Sequence, residues 1–396
     1  ASVDLAAVQA HLRTVVDGLT SGVEHLLANA GVEVIRGTAR FARSNRVVVT
    51  AGDGVQHVEF EHAIVATGSR PVELPALPFD GTTVVDSTGA LFAFDRVPER
   101  MVVVGGGYIG IELGTAWAKL GSAVTLVEAA PSILPGLDAR LGRVAARSLV
   151  RLGVEVRTGH LAAGWEPGPR GACSLTLERA DGTGSETVTA DAVVVAVGRR
   201  PNTDELGLDV VGVEVDDRGL IPVDGQRRAS RNVLAIGDVT DGPALAHKAT
   251  AEAEVAARTV AGRPASFDPA AIPAVVFADP ELATVGLTRA KAEADGVEVT
   301  SFVFPISASS RARTLGADGG HIELVADRAG TVLGAHLAGP AVSELVGEAA
   351  LAIEMAATVE EVAATIHPHP TMSEGLLEAA HGALGLPLHV AGPRRS

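Results

Sequence analysis

Two short segments hold the residue types and spacings that can do chemistry, and the first lies near the C-terminus. Residues 367–374 read His-Pro-His-Pro-Thr-Met-Ser-Glu, and the prolines on both sides of His369 stiffen its backbone. Glu374 begins an apolar helical pattern and can turn back to hold the imidazole of His369, which is a general-base arrangement. Two other interpretations remain open: a pair of hydrogen-bonded loop histidines, or a metal site built on His367 and His369. No further His, Cys or Asp stands at a suitable spacing nearby, so we expect no metal.

The second segment, Met101 to Glu128, places three glycines in G-x-G-x-x-G spacing between an apolar run and a helical pattern. Gly105 permits a tight turn, Gly107 lets the backbone approach a pyrophosphate, and Gly110 lets a helix pack closely on a strand. A second strand ends at Glu128, whose carboxylate can accept hydrogen bonds from a ribose diol. The alternative is an ordinary glycine-rich turn. The succession of strand, glycines, helix, second strand and acidic residue predicts dinucleotide binding instead. Glu128 would repel a 2′-phosphate, which favours NAD over NADP.

Composition limits the class of protein. The chain has 396 residues, enough for two or three domains, and a net charge of −16. It has no long basic run, so we expect neither nucleic acid nor an anionic membrane surface as a partner. It has no signal-peptide pattern and no uncharged apolar run long enough to span a bilayer, so we expect a cytoplasmic protein. The single cysteine, Cys173, excludes an intrachain disulfide.

Hydrophobic periodicity places these segments on alternating strands and helices. It predicts a long helix over residues 4–29 and, after the glycine motif, a second helix. The predicted buried faces are Leu5, Val8, Leu12, Val15 and Leu19 on the first helix, and Ile109, Leu113, Ala116 and Leu120 on the second. Short strands are predicted at residues 32–36, 39–42 and 46–50, a hairpin turn at 51–54 and a further pair of strands within 57–65. An α+β region is predicted to follow, with strands at 274–277, 301–304, 321–326 and 331–339 and helices at 288–295, 341–356 and 358–365.

The sequence also contains an internal repeat. Residues 66–71, Ala-Thr-Gly-Ser-Arg-Pro, parallel residues 196–201, Ala-Val-Gly-Arg-Arg-Pro. Each follows an apolar strand, which indicates two related nucleotide-binding units. The second unit has its glycine head at Gly105, whereas the first has none. We therefore expect that the chain lacks the beginning of its first domain.

Taken together, the segments at residues 64–71, 105–114, 235–249 and 367–374 resemble, in the same order, the flavin-dependent pyridine-nucleotide disulfide oxidoreductases, and most closely their dihydrolipoamide dehydrogenase branch. The resemblance covers the whole chain. It implies an α/β fold of two Rossmann-like nucleotide-binding domains, the first truncated at its N-terminus, and a C-terminal α+β dimerisation domain. The implied division is residues 1–70 (FAD remnant), 71–203 (NAD), 204–266 (central segment completing the FAD domain) and 267–396 (interface).

The resemblance also implies cofactors, substrate and site residues. The enzyme would oxidise a dihydrolipoyl dithiol to the disulfide and pass electrons through FAD to NAD, with His369 as the acid–base residue and Glu374 as its orienter. Its partners would be a second copy of the chain and a lipoyl-bearing protein or small disulfide or dithiol substrate. The implied FAD contacts are Gly37, Thr67, Gly68, Ser69, Asp238, Ala244, Leu245, Ala246 and His247. The implied NAD contacts are Gly105, Gly106, Gly107, Tyr108, Ile109, Gly110, Ile111, Glu112, Glu128, Ala162 and Gly198.

The sequence departs from the family pattern in several respects, which include the absence of the family's flavin-side lysine, the partner of the carboxylate that matches Glu112. Family members begin with an FAD-binding G-x-G-x-x-G and carry a C-x4-C redox disulfide soon after it, and this sequence has neither. We therefore expect the N-terminal FAD-binding and redox-disulfide segment to be missing, with poor retention of FAD as a result. Two alternatives follow: a catalytically inactive NAD-binding and dimerisation fragment, or a related flavoprotein reductase acting on mercuric ion or a low-molecular-weight disulfide.

Overall fold

A computed structural model describes residues 3–52, 54–317 and 319–390. The chain divides into two compact units, the first made of Ala1–Val72 with Arg199–Asp268 and the second of Glu73–Gly198 with Pro269–Ser396. Within the described ranges, no helix is both long enough and apolar enough to cross a membrane. The four-part division drawn from the sequence remains a prediction.

The helices of the described residues are α1 (Leu5–Asn29), α2 (Gly89–Phe92), α3 (Tyr108–Leu120), α4 (Ala139–Arg151), α5 (Ala246–Val260), α6 (Arg289–Ala294), α7 (Ser310–Thr314), α8 (Val342–Glu354), α9 (Val359–Ala364) and α10 (Glu374–Ala383). The strands are β1 (Thr38–Arg43), β2 (Arg46–Ala51), β3 (Gly54–Glu59), β4 (Ala63–Val65), β5 (Ser69–Pro71), β6 (Val84–Val85), β7 (Arg100–Val104), β8 (Ala123–Glu128), β9 (Glu155–Thr158), β10 (His160–Pro167), β11 (Cys173–Arg179), β12 (Ser185–Ala190), β13 (Ala192–Val195), β14 (Arg199–Pro201), β15 (Val233–Ala235), β16 (Ala274–Val276), β17 (Glu281–Gly286), β18 (Val299–Pro305), β19 (His321–Asp327) and β20 (Val332–Gly339).

The first unit contains a three-stranded antiparallel sheet, β1-β2-β3, and a parallel pair, β4 with β15. The predicted long helix is present as α1, but of its predicted buried face only Leu5 is buried, and Leu19 is 69% exposed. The face was wrong because burial is confined to the first turns of the helix, at Leu5 and Gln9, and most of its later apolar residues are exposed. The strand predicted at residues 32–36 is also wrong, since these residues form a connection without regular structure. The predicted turn includes Asp53, which lies outside the described residues.

The two copies of the internal repeat pair with each other. β5 and β14 are antiparallel, with Ser69 opposite Pro201 and Arg70 opposite Arg200. Each copy follows the buried end of an apolar strand, β4 or β13. The repeat therefore forms a two-stranded connection at the boundary of the first unit, which the sequence pattern alone did not indicate.

The second unit is built on a parallel sheet in the order β6-β13-β7-β8-β9. The sheet is covered on both faces, so its strands are continuously apolar, as in residues 102–104 and 193–195. On one face, Val102 and Val104 pack against Leu175 and Leu177 of the antiparallel sheet β10-β11-β12. On the other face, Val103 approaches the glycines of α3.

Helix α3 begins at the predicted position, but its predicted buried face is wrong. The buried residues are Gly110, Ile111, Gly114, Thr115 and Trp117, whereas Ala116 of the predicted face is exposed. Gly110 and Gly114 let the helix approach β7 and β8 so closely that the small residues, rather than the large apolar ones, define the packed side. Glycines are invisible to a search for large apolar residues at helical spacing.

The remainder of the second unit is a five-stranded antiparallel sheet in the order β16-β17-β20-β19-β18, packed against α8 and α10. The predicted buried face of α8 is correct, since Val342, Val346, Ala349 and Ile353 are its buried residues. Strand β17 and the short helix α7 were missed. The C-terminal region is α+β, as predicted.

Candidate functional site

The glycine motif forms the loop between β7 and α3, and its glycines differ in their surroundings. Gly105 has φ 114°, and a Cβ there would lie 2.3 Å from the carbonyl oxygen of Ala196. A Cβ at Gly110 would lie 1.9 Å from the carbonyl oxygen of Gly105. At Gly107, by contrast, no atom lies within 4 Å of the added Cβ. Two glycines therefore allow close packing within the protein, and the middle one faces open space where a ligand can approach.

The N-terminus of α3 and the end of β8 meet beside this loop. Gly107 is the N-cap and supplies no side-chain hydrogen bond, and the positive end of the helix dipole at this N-terminus favours an anion. Glu128 accepts a hydrogen bond from the N–H of Gly106 (2.6 Å) and another from the N–H of Ala130 (2.7 Å). The carboxylate is thus fixed at the edge of the loop, in the position expected for a ribose ligand.

The other predicted NAD residues lie in different environments. Tyr108 and Ile109 occupy the first turn of α3 at its exposed side, while the side chain of Ile111 is fully buried. Glu112 accepts a hydrogen bond from the N–H of Phe277 (2.8 Å), and burial raises the pKa of its carboxyl group. A buried side chain such as that of Ile111 supports the loop by packing and leaves only its backbone near a ligand.

The last two predicted NAD residues lie on other elements. Ala162 is on β10, half-buried beside the apolar cluster under the parallel sheet. Gly198 follows β13 with φ 133°, and no atom lies within 4 Å of an added Cβ. Gly198 therefore resembles Gly107 in facing open space, whereas Ala162 is positioned by the packing of its strand.

In the first unit, the structure joins two segments predicted to contact FAD. The hydroxyl of Ser69 donates to the carboxylate of Asp238 (2.5 Å), and Nε of Arg199 donates to the hydroxyl of Ser69 (2.7 Å). Thr67 donates to the carbonyl oxygen of Asn202 (2.7 Å), and the carbonyl oxygen of Gly68 accepts from the N–H of Asn202 (2.8 Å). Arg199 and Asn202 were not predicted. The available signal was the repeat, because Arg199 lies in its second copy and Asn202 directly follows that copy.

A buried polar network holds the turn that carries Asp238. Glu252 has no exposed surface and accepts hydrogen bonds from the N–H of Gly237 (2.6 Å) and from Arg227 (2.7 Å). Lys248 donates to the carbonyl oxygen of Gly237 (3.0 Å). Charged groups this deeply buried are stable only when paired, so the network fixes the backbone beside Asp238. The i, i+4 spacing of Lys248 and Glu252 in α5 was a signal that the sequence analysis did not use.

The loop before α5 is the third predicted FAD segment. Ala244 and Leu245 precede the helix, and Ala246 and His247 form its first turn. The N-cap makes no side-chain hydrogen bond, and a helix N-terminus of this kind favours a phosphate. Gly37 precedes β1, and an added Cβ would lie 2.6 Å from the carbonyl oxygen of Thr50. That close approach to β2 explains the glycine without a ligand.

The structure also brings His369 and Glu374 together. Nδ1 of His369 lies 2.9 Å from Oε1 of Glu374, whose other oxygen accepts from the N–H of Thr371 (2.9 Å). Burial acts to raise the pKa of Glu374, but these hydrogen bonds and the nearby charges of His369 and His389 hold it below its usual value of 4.5. The imidazole is 68% exposed, and its Nε2 has no hydrogen bond among the described residues. An ionised Glu374 thus fixes the Nδ1–H tautomer and leaves Nε2 as a proton acceptor.

The neighbouring His367 has separate partners. Its Nε2 lies 2.8 Å from Oε1 of Glu348 and its Nδ1 lies 2.8 Å from the carbonyl oxygen of Thr365. Both ring nitrogens are therefore engaged away from His369, so the two histidines do not share a ligand position. This arrangement favours the general-base interpretation over a metal site on the pair.

A second histidine–carboxylate pair lines the same cavity and was missed. Nδ1 of His389 lies 2.6 Å from Oε1 of Glu378, and both residues share the cavity with His369 and Glu374. The two glutamates are one helical turn apart on α10, and this i, i+4 spacing was the signal in the sequence.

Comparison with known proteins decides the family. The family profile described as pyridine nucleotide-disulphide oxidoreductase matches residues 2–253, and the profile of that family's dimerisation domain matches residues 272–380. The chain belongs to the pyridine nucleotide-disulphide oxidoreductases.

Individual members of this family agree with the profiles. The chain is 47% identical over 391 residues to the dihydrolipoyl dehydrogenase of Geobacillus stearothermophilus and 48% identical over 393 residues to that of Halobacterium salinarum. Each alignment covers 98% of this chain and 82% of the relative. They do not bear out the prediction that the N-terminal segment is missing.

Solved structures of disulphide oxidoreductases confirm the mixed α/β fold. LpdA from Mycobacterium tuberculosis superposes with a TM-score of 0.88 at 27% identity, covering 96% of this chain and 84% of that one. The HOCl-induced flavoprotein disulfide reductase RclA from Escherichia coli gives a TM-score of 0.85 at 27% identity, covering 94% and 84%.

These comparisons confirm the predicted function at the level of the enzyme. The protein is a flavin-dependent, NAD-linked oxidoreductase of the dihydrolipoyl dehydrogenase type, with FAD and NAD as cofactors. The inactive-fragment and related-reductase alternatives are not favoured. The dimerisation domain supports a homodimer. The glycine loop and Glu128 fit NAD, and the uncapped α5 N-terminus with Asp238 fits a phosphate and polyol chain such as that of FAD.

Proposed function

We propose that the substrate is a dihydrolipoyl dithiol carried on a partner protein, and that His369 accepts its thiol proton. The observation that carries the proposal is the His369–Glu374 pair, which presents an exposed, unpaired Nε2 to a cavity. The names of the relatives support the same substrate, because the curated proteins at 47–48% identity are dihydrolipoyl dehydrogenases.

The reaction balances with one proton acceptor in the protein. The dithiol loses two protons and two electrons as its S–S bond forms, NAD⁺ takes a hydride, and one proton is released to water. Nε2 of His369 takes the proton from the thiol, and the carboxylate of Glu374 stabilises the imidazolium through Nδ1–H. Bound FAD supplies a carrier for the electron pair between the dithiol and the nicotinamide.

The remaining residues of the proposed site bind and orient. In the second unit, the N–H groups at the start of α3 bind the pyrophosphate of NAD, and Glu128 binds the adenosine ribose. In the first unit, Asp238 would hold the ribityl chain of FAD, and the first turn of α5 (Ala246, His247) would hold its pyrophosphate. The only thiol in the sequence, Cys173, has no part in the proposal, because it is buried and burial raises its pKa.

A single substitution tests the proposed proton acceptor. His369→Gln in the FAD-loaded protein should lower kcat for dihydrolipoamide-dependent NAD⁺ reduction by about 10²- to 10⁴-fold, since general-base catalysis contributes that much. NADH affinity, measured by fluorescence titration, should be unchanged, because the substitution lies on an element separate from the glycine loop. The control is His57→Gln, an exposed histidine on β3.

Three results would overturn the proposal: no dihydrolipoamide-dependent reduction of NAD⁺ by the wild-type protein, wild-type kcat in His369→Gln, or equal losses in both variants. Reduction of NAD⁺ by another dithiol but not by dihydrolipoamide would reassign the substrate and leave His369 as proton acceptor. A cytoplasmic location remains a prediction from the sequence.

A further inference from the structure

Three side chains of the types that commonly bind metal ions lie close together in the second unit. The elements that carry them hold none of the proposed catalytic residues. Asp138 is the N-cap of α4, and His321 and Glu323 lie on β19 with their side chains on the same face of the strand. One potential ligand atom from each residue lies within 4.8 Å of the other two. Alternation along β19 and the start of α4 therefore bring two carboxylates and an imidazole to one point.

The hydrogen bonds at this point leave one atom of each side chain unused. Oδ1 of Asp138 accepts from the N–H of Arg140 (2.7 Å), which orients the carboxylate and leaves Oδ2. The Arg140 guanidinium contacts Oε1 of Glu323 as an ion pair, and Oε2 of Glu323 is buried with no hydrogen-bond partner among the described residues. Nε2 of His321 is likewise buried and unpartnered, in a residue that is only 7% exposed.

The charges at this point do not balance. Glu323 has no exposed surface, and together with Asp138 it places two negative charges opposite the single positive charge of Arg140. A buried carboxylate is costly unless it is paired, and an unsatisfied buried imidazole nitrogen adds to that cost. A cation would satisfy all three side chains at once.

We propose that Asp138, His321 and Glu323 bind a divalent transition-metal ion of the Zn²⁺ class. One imidazole nitrogen and two carboxylate oxygens are ligands that Zn²⁺ accepts in proteins, with a water molecule as the fourth ligand. Tetrahedral bonds of about 2.0–2.2 Å place donor atoms about 3.3–3.6 Å apart, so side chains whose ligand atoms lie within 4.8 Å of one another must draw together around the ion. Asp138 is half-buried and offers the path of entry.

The residues around the site are compatible with a bound metal. Arg140 orients both carboxylates, through its N–H and through its guanidinium, which is how residues around a metal centre fix its ligands. Its side chain is 37% exposed, so it can keep Oε1 of Glu323 or turn to solvent. The metal would link α4, which belongs to the nucleotide-binding part of the second unit, to β19 of the C-terminal sheet. We expect this link to stabilise the second unit.

Asp138→Asn is the variant best suited to test the site. It removes one ligand charge while Asn keeps the N-cap hydrogen bond, so folding should be preserved. Asp4→Asn is the matched control, because Asp4 caps α1 through the same kind of bond, to the N–H of Ala7 (3.0 Å). The FAD-loaded protein is stripped with a chelator and titrated with Co²⁺ in excess Mg²⁺, which occupies weak surface carboxylates. Bound Co²⁺ is measured by equilibrium dialysis and by its visible absorption.

We expect one Co²⁺ per chain in the wild-type protein and in Asp4→Asn, displaced by Zn²⁺, and binding weaker by more than about 10-fold in Asp138→Asn. The thermal midpoint should rise with Co²⁺ in the first two proteins and not in the third. Absence of stoichiometric binding in the wild-type protein, or equal binding by all three, would overturn the proposal and leave a buried Arg140–Glu323 ion pair. Glu323→Gln provides a second variant, and wild-type affinity in that variant would also overturn it.

Discussion

Alanine substitutions at Gly107, Gly110 and Gly114 distinguish the effect of helix packing from the effect of ligand binding. We expect a different combination of stability and NADH affinity for each variant. At Gly110 the added Cβ would lie 1.9 Å from the carbonyl oxygen of Gly105, whereas ordinary contacts begin at 3.4 Å. The start of α3 must therefore move by about 1.5 Å, the difference of those two distances. Forcing a methyl group into a packed site costs about 1–3 kcal/mol, and a displacement of about 1 Å in a binding site can cost roughly 100-fold in function.

The two other positions are internal controls for this estimate. Gly107 has φ −76° and ψ −179°, and no atom lies within 4 Å of its added Cβ, so Gly107→Ala should leave the free energy of unfolding unchanged while obstructing the pyrophosphate. Gly114 lies inside α3 with its nearest neighbours at 3.8 Å, so Gly114→Ala should retain NADH binding and gain up to about 1 kcal/mol from helix propensity.

The assays are urea unfolding followed by circular dichroism and NADH titration followed by fluorescence. We expect Gly110→Ala to lose both stability and NADH affinity, Gly107→Ala to lose about 10-fold or more in affinity alone, and Gly114→Ala to lose neither. Equal stability of Gly110→Ala and Gly114→Ala would refute the packing argument. Wild-type affinity of Gly107→Ala would refute the assignment of the loop to the pyrophosphate.

Other expected outcomes concern carboxylates and the thiol. Glu128→Gln should weaken the binding of NADH. It should also reduce the ratio of NADH affinity to NADPH affinity, measured by parallel titrations, because the repulsion of a 2′-phosphate is removed. Glu252→Gln breaks a buried network and should cost about 3–5 kcal/mol in urea unfolding, whereas Glu254→Gln, in an exposed ion pair, should cost less than about 0.5 kcal/mol. The pKa of Glu374 is lowered in the folded protein, so its contribution to stability is present above pH 4.5 and is lost as the pH falls further. The difference in the free energy of unfolding between the wild-type protein and Glu374→Gln should therefore become smaller at acid pH. Cys173 should resist thiol reagents in the folded protein and react on unfolding; rapid labelling of the native state would contradict its burial.

The glycine motif and the α8 face show what a sequence determines locally. Gly105, Gly107 and Gly110 each lie in the environment that their spacing predicted, since a tight turn, a ligand approach and a close helix contact are all properties of one short loop. Helix α8 presents its predicted apolar face because that face packs on a sheet within the same unit. In both cases the partners lie in the same local architecture.

The incorrect predictions concern features that depend on contacts between elements distant along the chain. The buried side of α3 depends on how near β7 lies to Gly110 and Gly114, which periodicity of large apolar residues cannot show. The exposed face of α1 and the absent strand at residues 32–36 depend on which elements pack beside them. Periodicity reports that a face is apolar and does not report what covers it.

The candidate site shows the same division. The His369–Glu374 contact follows from five residues of separation and a helix start, so the sequence predicted it. His389, by contrast, reaches the cavity through the packing of the chain after α10, and Arg199 reaches Ser69 through pairing of the two repeats. The spacing of the glutamates on α10 and the internal repeat were indirect signals for these contacts, but only the packing of the chain shows which side chains meet.

The most direct test of the central claim is the visible absorption spectrum of the FAD-loaded protein before and after one equivalent of NADH without oxygen. One chain is expected to bind a flavin and NAD and to pass electrons between them. We expect a flavin band that bleaches on addition of NADH and returns with excess NAD⁺, and a loss of bleaching at low NADH in Gly107→Ala. A flavin band that stoichiometric NADH leaves unchanged would contradict it.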